Sequence, residues 1–130
     1  MREVYDRINS IIGTKYRRPG SNEGMNCTEV VAYVYPQFEN EMKIAADPFS
    51  GDFDIITVTD IVSRGLKEVE KPINGSIVAF YSEDGSCYHV GAFIDNHVVH
   101  AARNAGVIIE EISVARLRSK ELKFFVKKEV

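Results

Sequence analysis

From residue 77 onward the chain is a succession of short apolar runs separated by turn residues. Ile77-Val78-Ala79-Phe80-Tyr81 is followed by Glu83-Asp84-Gly85-Ser86, and strand-like stretches then occupy residues 87–94, 97–103, 106–112 and 121–127. Runs of this length with β-branched and aromatic residues, closed by Gly, Asp and Asn, predict antiparallel strands joined by hairpins. The first half has a different period. Val4, Ile8, Ile11 and Ile12 have the spacing of an amphipathic helix over residues 2–12, with Gly13 as its stop. Helices first and a run of strands after them is the α+β pattern, here with about five or six strands.

A second helix is expected where Asn26 can cap and Glu29, three residues on, completes a capping box. It would begin at Cys27 and run to Tyr35, where Pro36 ends or kinks it. Residues 40–56 carry turn signals and read as a loop walling the site, and residues 57–66 as a short helix. With 130 residues, no repeat and no linker, residues 1–130 are expected to form one domain.

Composition removes several classes of function. A formal charge of −3 argues against a general nucleic-acid binder. Lys15, Arg17 and Arg18 crowd together, and read as a solvated loop in preference to an anion-contacting rim. No apolar run approaches the roughly 20 residues that cross a bilayer. The charged start, Met1-Arg2-Glu3-Val4-Tyr5-Asp6-Arg7, is not a signal peptide, so a cytoplasmic location in the producing cell is expected. The two cysteines, Cys27 and Cys87, are then expected to be free thiols.

A thiol at the first position of a helix lies near unpaired N–H groups and the positive end of the dipole, which favour thiolate. Glu29 in the same turn opposes this mildly. Alone, Cys27 would read as a small buried hydrophobe. The histidines change that. If Asp95-Asn96 form a two-residue turn, Ile94 faces His97, and His100 comes opposite Gly91. His89, Gly91 and His100 then share one face, with Gly91 leaving room between the rings, while Val90, Ala92, Ile94, Val99 and Ala101 give an apolar surface on the other. The expected catalytic set is Cys27 as nucleophile, His89 as base and His100 as the residue orienting it. His97 is expected at the turn, solvent-exposed. Cys87 is expected on the face of His89 as a packing residue.

At these residues the chain resembles the NlpC-type papain-like cysteine peptidases of bacterial cell-wall turnover. The blocks are Gly13-Thr14-Lys15-Tyr16, Asn26-Cys27-Thr28-Glu29, Ile73-Asn74-Gly75-Ser76, His89-Val90-Gly91-Ala92-Phe93 and Val99-His100-Ala101, in the family's order and across nearly the whole chain. The resemblance implies a papain-like α+β fold and hydrolysis of amide bonds in peptidoglycan stem peptides, typically between D-glutamate and diaminopimelate or lysine. It implies Tyr16, Asn26 and Thr28 as substrate-binding residues, and no metal or cofactor. Asn26 stands where the family has Asp, Thr28 replaces Ser, Glu29 replaces Gly and Lys15 replaces Pro. The carboxylate that would pair with a substrate ammonium is therefore missing. The partner implied is peptidoglycan or its fragments, with a phage-tail or injection-system protein as carrier to the wall, the domain then being virion-associated or delivered. Two rivals are a non-catalytic wall-binding or tail component of the same fold, and a structural zinc module on Cys27, Cys87, His89 and His100.

Overall fold

The computed structural model describes residues 1–18, 21–45 and 65–128. Two helices, α1 (Arg2–Ile11) and α2 (Cys27–Val34), open the chain, followed by a 3₁₀ turn (Pro36–Phe38) and α3 (Glu39–Ala45). The strands are β1 (Leu66–Val69), β2 (Ile77–Tyr81), β3 (Cys87–Ile94), β4 (His97–Ala102), β5 (Gly106–Glu111) and β6 (Glu121–Lys127), with α4 (Ile112–Arg118) between the last two. They form one six-stranded sheet in the order β1-β6-β2-β3-β4-β5. Its described pairings are all antiparallel. The fold is α+β, as the two periods in the sequence predict.

Both faces of the sheet are covered. On one, Ile8, Ile11, Val30, Val31, Val34 and Phe38 of the helical half pack against Ile77, Ala79, Val90, Ala92, Ile94, Val99 and Ala101. On the other, Val78, Phe80, Phe93, Val98, Leu122 and Phe124 are capped by Ile112 and Ala115 of α4. Tyr35 ties the layers. Its hydroxyl donates to the Phe93 carbonyl and accepts from the Gly75 N–H at 3.1 Å.

The β3–β4 hairpin turns on Asp95 (φ 45°) and Asn96 (φ 64°), two left-handed residues in succession. This is the mirror-image turn that matches strand twist, and Asp and Asn tolerate it better than other non-glycine residues. It sets Ile94 opposite His97, Phe93 opposite Val98 and Ala92 opposite Val99. Val90, Ala92, Ile94, Val99 and Ala101 accordingly all lie in the helix-side core.

Four expectations are corrected. The stretch from residue 40 is helical as far as Ala45, because α3 begins at Glu39 and buries Met42; residues 46–64, with most of the expected wall loop and the expected helix at 57–66, lie outside the described residues. Leu66 opens an edge strand, in which only Leu66 is buried while Lys67 and Glu68 are exposed. Helix α4 was not expected, since in its seven residues only Ile112 and Ala115 face the core, and Val114 and Leu117 are apolar but exposed. Cys87 does not share the face of His89. The β2–β3 register shifts so that Phe80 pairs with His89 but Tyr81 with Cys87, leaving Tyr88 as a bulge. Cys87 therefore falls into the helix-side core.

Gly91 is also not a gap between the rings. A β-carbon there would lie 2.5 Å from Val98 Cγ2, 3.0 Å from the Val99 carbonyl oxygen and 3.1 Å from His100 Cβ. The glycine allows β4 to close onto β3. Gly91→Ala should lower unfolding free energy by about 1–3 kcal/mol through overpacking. A urea midpoint equal to that of the wild type would show the hairpin to be looser than described.

Candidate active site

Three pieces of backbone deliver the site. The segment after α1 is held against β5, with the Val107 N–H donating to the Thr14 carbonyl (2.8 Å) and the Gly13 N–H to the Val107 carbonyl (2.9 Å). Gly106 (φ +76°) permits this approach, since a β-carbon there would sit 2.3 Å from the Thr14 oxygen. Tyr16 then bridges to Met25, which places the tyrosine beside the start of α2.

The start of α2 carries the full capping box. Asn26 Oδ1 accepts from the Glu29 N–H (3.0 Å) and from Thr28 Oγ1 (2.9 Å), and Glu29 Oε1 accepts from the Asn26 N–H (2.9 Å). Arg17 pairs with Glu29 at 2.8 Å, and Lys15 pairs with Glu23. The basic cluster near the cysteine is thus largely tied to local carboxylates. Glu29 folds back over the cap.

Cys27, the first residue of α2, is 3% exposed and lines a cavity of about 560 Å³ together with Tyr16, Phe80, Tyr88, His89, His100, Arg103 and Arg118. The cavity lies at the end of the sheet where β3 begins and β4 ends. His89 Nε2 and His100 Nδ1 are 2.8 Å apart, with ring centroids 5.0 Å apart and nearly perpendicular. Phe80 supports both rings, at 4.9 Å from His89 and 5.5 Å from His100. Tyr88 stacks on His89 at 6.4 Å. Beyond His100, its Nε2 meets Glu110 Oε1 at 2.9 Å, and Glu110 is ion-paired with Arg118.

The expected residues are therefore distributed unevenly. Cys27, His89, His100 and Tyr16 share one cavity. Asn26 and Thr28 do not line it; both are buried in the cap, and Thr28 also borders a separate groove beside Arg17 and Tyr33. His97 is half-buried, its Nδ1–H donating to the Asp95 carbonyl at 2.7 Å. Glu110 and Arg118 are additions that the sequence reading passed over. Since His100 pairs with Ile108 and Val98 with Glu110, the glutamate is a diagonal neighbour of His100 on its own face. That signal was present once β5 was placed in register.

Electrostatics correct one expectation. The thiol of Cys27 is not acidic at rest. Burial pushes it up to about 12, outweighing the backbone N–H groups of Val90, Thr28 and Cys27 itself that would stabilise a thiolate. Burial, with smaller contributions from His100, Arg118 and Arg103, lowers His89 to about 3. His100 is lowered as well, chiefly by burial and against the pull of Glu110. The resting pair is a neutral thiol and a neutral imidazole. The sulfur takes its hydrogen bonds from backbone, and among the described residues no bond joins it to the His89 ring.

A zinc module would need Cys87 to converge with Cys27, His89 and His100. Its sulfur instead points into the helix-side core and donates to the His89 carbonyl at 3.5 Å. Among the described residues no group of three or more His, Cys, Asp or Glu side chains is placed to hold a metal ion.

No protein-family model and no curated protein matches the chain. Among solved structures, the crystal structure of the NlpC/p60 domain of the peptidoglycan hydrolase SagA matches with a TM-score of 0.58, over 96% of this chain and 96% of that one, at 20% identity. The chain has the NlpC/p60 fold. The resemblance inferred from five short blocks thus extends to the whole architecture. No helix among the described residues is long and apolar enough to cross a membrane.

Two measurements test the charge states at this site of the NlpC/p60 fold. Because His89 titrates near 6.5 when unfolded and near 3 when folded, the unfolded chain binds the extra proton between those values. Its contribution to stability is whole above pH 6.5 and declines as pH falls toward 3, at about 1.4 kcal/mol per pH unit. Urea unfolding at pH 7 to 4 should show a steeper loss for wild type than for His89→Gln; parallel curves would mean that the ring is not buried neutral. Alkylation of Cys27 by iodoacetamide should rise about tenfold per pH unit from pH 7 to 9.5, as expected for a thiol far below its pKa. A plateau near neutrality would indicate a preformed thiolate. Cys87, which is fully buried, should stay unlabelled.

Proposed function

We propose that the protein is a cysteine amidase that hydrolyses peptide bonds in peptidoglycan stems, at the bond between D-glutamate and diaminopimelate or lysine. One observation carries the chemistry: Cys27 at a helix start and the hydrogen-bonded His89–His100 pair open into the same cavity. The likeness to the NlpC/p60 domain of a peptidoglycan hydrolase supports the choice of substrate.

In this reading Cys27 is the nucleophile and His89 the base. His89 uses Nε2 toward His100, which leaves Nδ1 for the thiol proton. Both groups are neutral at rest, so the proton moves to His89 as sulfur bonds to the carbonyl carbon, in the manner of general-base catalysis. Hydrogen bonds of this kind often tighten only when substrate is bound, in keeping with the backbone partners of the resting sulfur. The N–H groups of Cys27 and Thr28, which contact the resting sulfur, are the donors that this reading assigns to the negative charge developing beside it. The protonated ring then gives its proton to the leaving amine. Water, activated by the same ring, releases the acyl group from Cys27.

Tyr16 forms the wall against which the stem peptide lies, and Arg103 covers its ring at 5.9 Å. Asn26 and Thr28 act indirectly, by fixing the helix start that presents the sulfur. Substrate selection consequently does not rest on a carboxylate at position 26.

The test is mass analysis of fragments released from purified peptidoglycan. Wild type should release peptides with new termini at the D-glutamyl bond, and Cys27→Ala or His89→Ala should lower the rate by about 10³-fold or more. Equal release by Cys27→Ala, or wall binding with no release by wild type, would reject the amidase reading; the second result would favour a wall-binding role.

A further inference from the structure

The hydrogen-bond chain behind His89 has a direction, and a group outside the expected triad sets it. Glu110 projects from β5 with its side chain 13% exposed, and Arg118 from α4 pairs with its Oε1. The same oxygen lies 2.9 Å from His100 Nε2. An ionised carboxylate only accepts hydrogen bonds, so the proton in this contact sits on His100 Nε2. A neutral imidazole has one N–H. His100 Nδ1 is then a bare acceptor, and the proton between the rings, 2.8 Å apart, belongs to His89 Nε2. His89 has spent its only proton, and its Nδ1 is left as a lone pair.

The opposite arrangement is disfavoured at the far end of the chain. With His100 protonated on Nδ1, its Nε2 lone pair would face the carboxylate across 2.9 Å with no hydrogen between them. His89 would then carry its proton on Nδ1 and could not accept one there. The low proton affinity of the buried His100 and the half-buried His89 is consistent with each ring having a single N–H.

We propose that Glu110, clamped by Arg118, is a positioning residue that fixes the tautomers of His100 and His89 in series and so leaves His89 Nδ1 as the proton acceptor of the site. The inference rests on the reading of Cys27 and His89 as the reacting pair, but its test needs no turnover.

The test is nitrogen-15 NMR of the imidazole rings in the full chain, labelled at histidine, at pH 7.5. In wild type both His89 and His100 should show the Nε2–H tautomer. Glu110→Ala should give mixed tautomers at both rings, whereas Glu111→Ala, an exposed neighbour on the same strand, should change neither. Where wall peptides are cleaved, Glu110→Ala should lower kcat about ten- to a hundredfold, with KM little altered.

Wild-type His89 protonated on Nδ1 would overturn the proposal, and that result needs no variant to fold. So would a folded Glu110→Ala protein with both rings unchanged. The expected tautomers in a protein that cleaves no wall peptide would uphold the role of Glu110 in the chain of rings and reject the amidase reading.

Discussion

The geometry of the site depends on the β3–β4 pairing, and that pairing depends on two left-handed residues. Asp95 and Asn96 fold the chain in a two-residue turn, so that Ala92 meets Val99 and Val90, Ala92, Ile94, Val99 and Ala101 face the N-terminal helices. A shift of one residue would turn each of those side chains to the opposite face. The histidines occupy the remaining positions, on the other face, because the core has claimed the alternate ones. The imidazole pair is thus a by-product of a register fixed mainly by hydrophobic burial. Gly91 adds the close approach that brings His100 within reach of His89.

The parts of the fold that the sequence disclosed are those with a strong local signal. The cap at Asn26, the stop before Pro36 and the strands at 77–81 and 87–94 follow from residues adjacent in the chain. The parts it concealed depend on partners far away. The edge strand β1 has a single buried residue and is strand only because β6 lies beside it. Helix α4 has two core residues in seven, too few for its period to stand out. The same division holds at the site. Cys27, His89 and His100 were visible through the cap and the hairpin. Glu110 and Arg118 were not, since their connection to His100 requires β4, β5 and α4 to be placed together.

Burial and the helix dipole pull the Cys27 thiol in opposite directions, and burial is the stronger. Position 27 has the backbone N–H groups expected of a helix start, yet the surrounding apolar residues hold the proton on sulfur. The rings are discharged for the same reason. A neutral pair is an uncharged resting state, with the ionic form deferred to the moment at which a carbonyl group is present to share the charge.

The bulge at Tyr88 gives β3 two allegiances. Upstream of it Cys87 obeys the helical layer, and immediately downstream His89 belongs to the side that α4 shelters. One supernumerary residue thereby uncouples the rim of the sheet from its middle. Side chains at the mouth of the site are free to vary without disturbing the packed interior, provided that the number of residues between Tyr81 and Val90 stays fixed. The count of residues here matters as much as their identity, since Cys87 and His89 must reach opposite sides of the sheet.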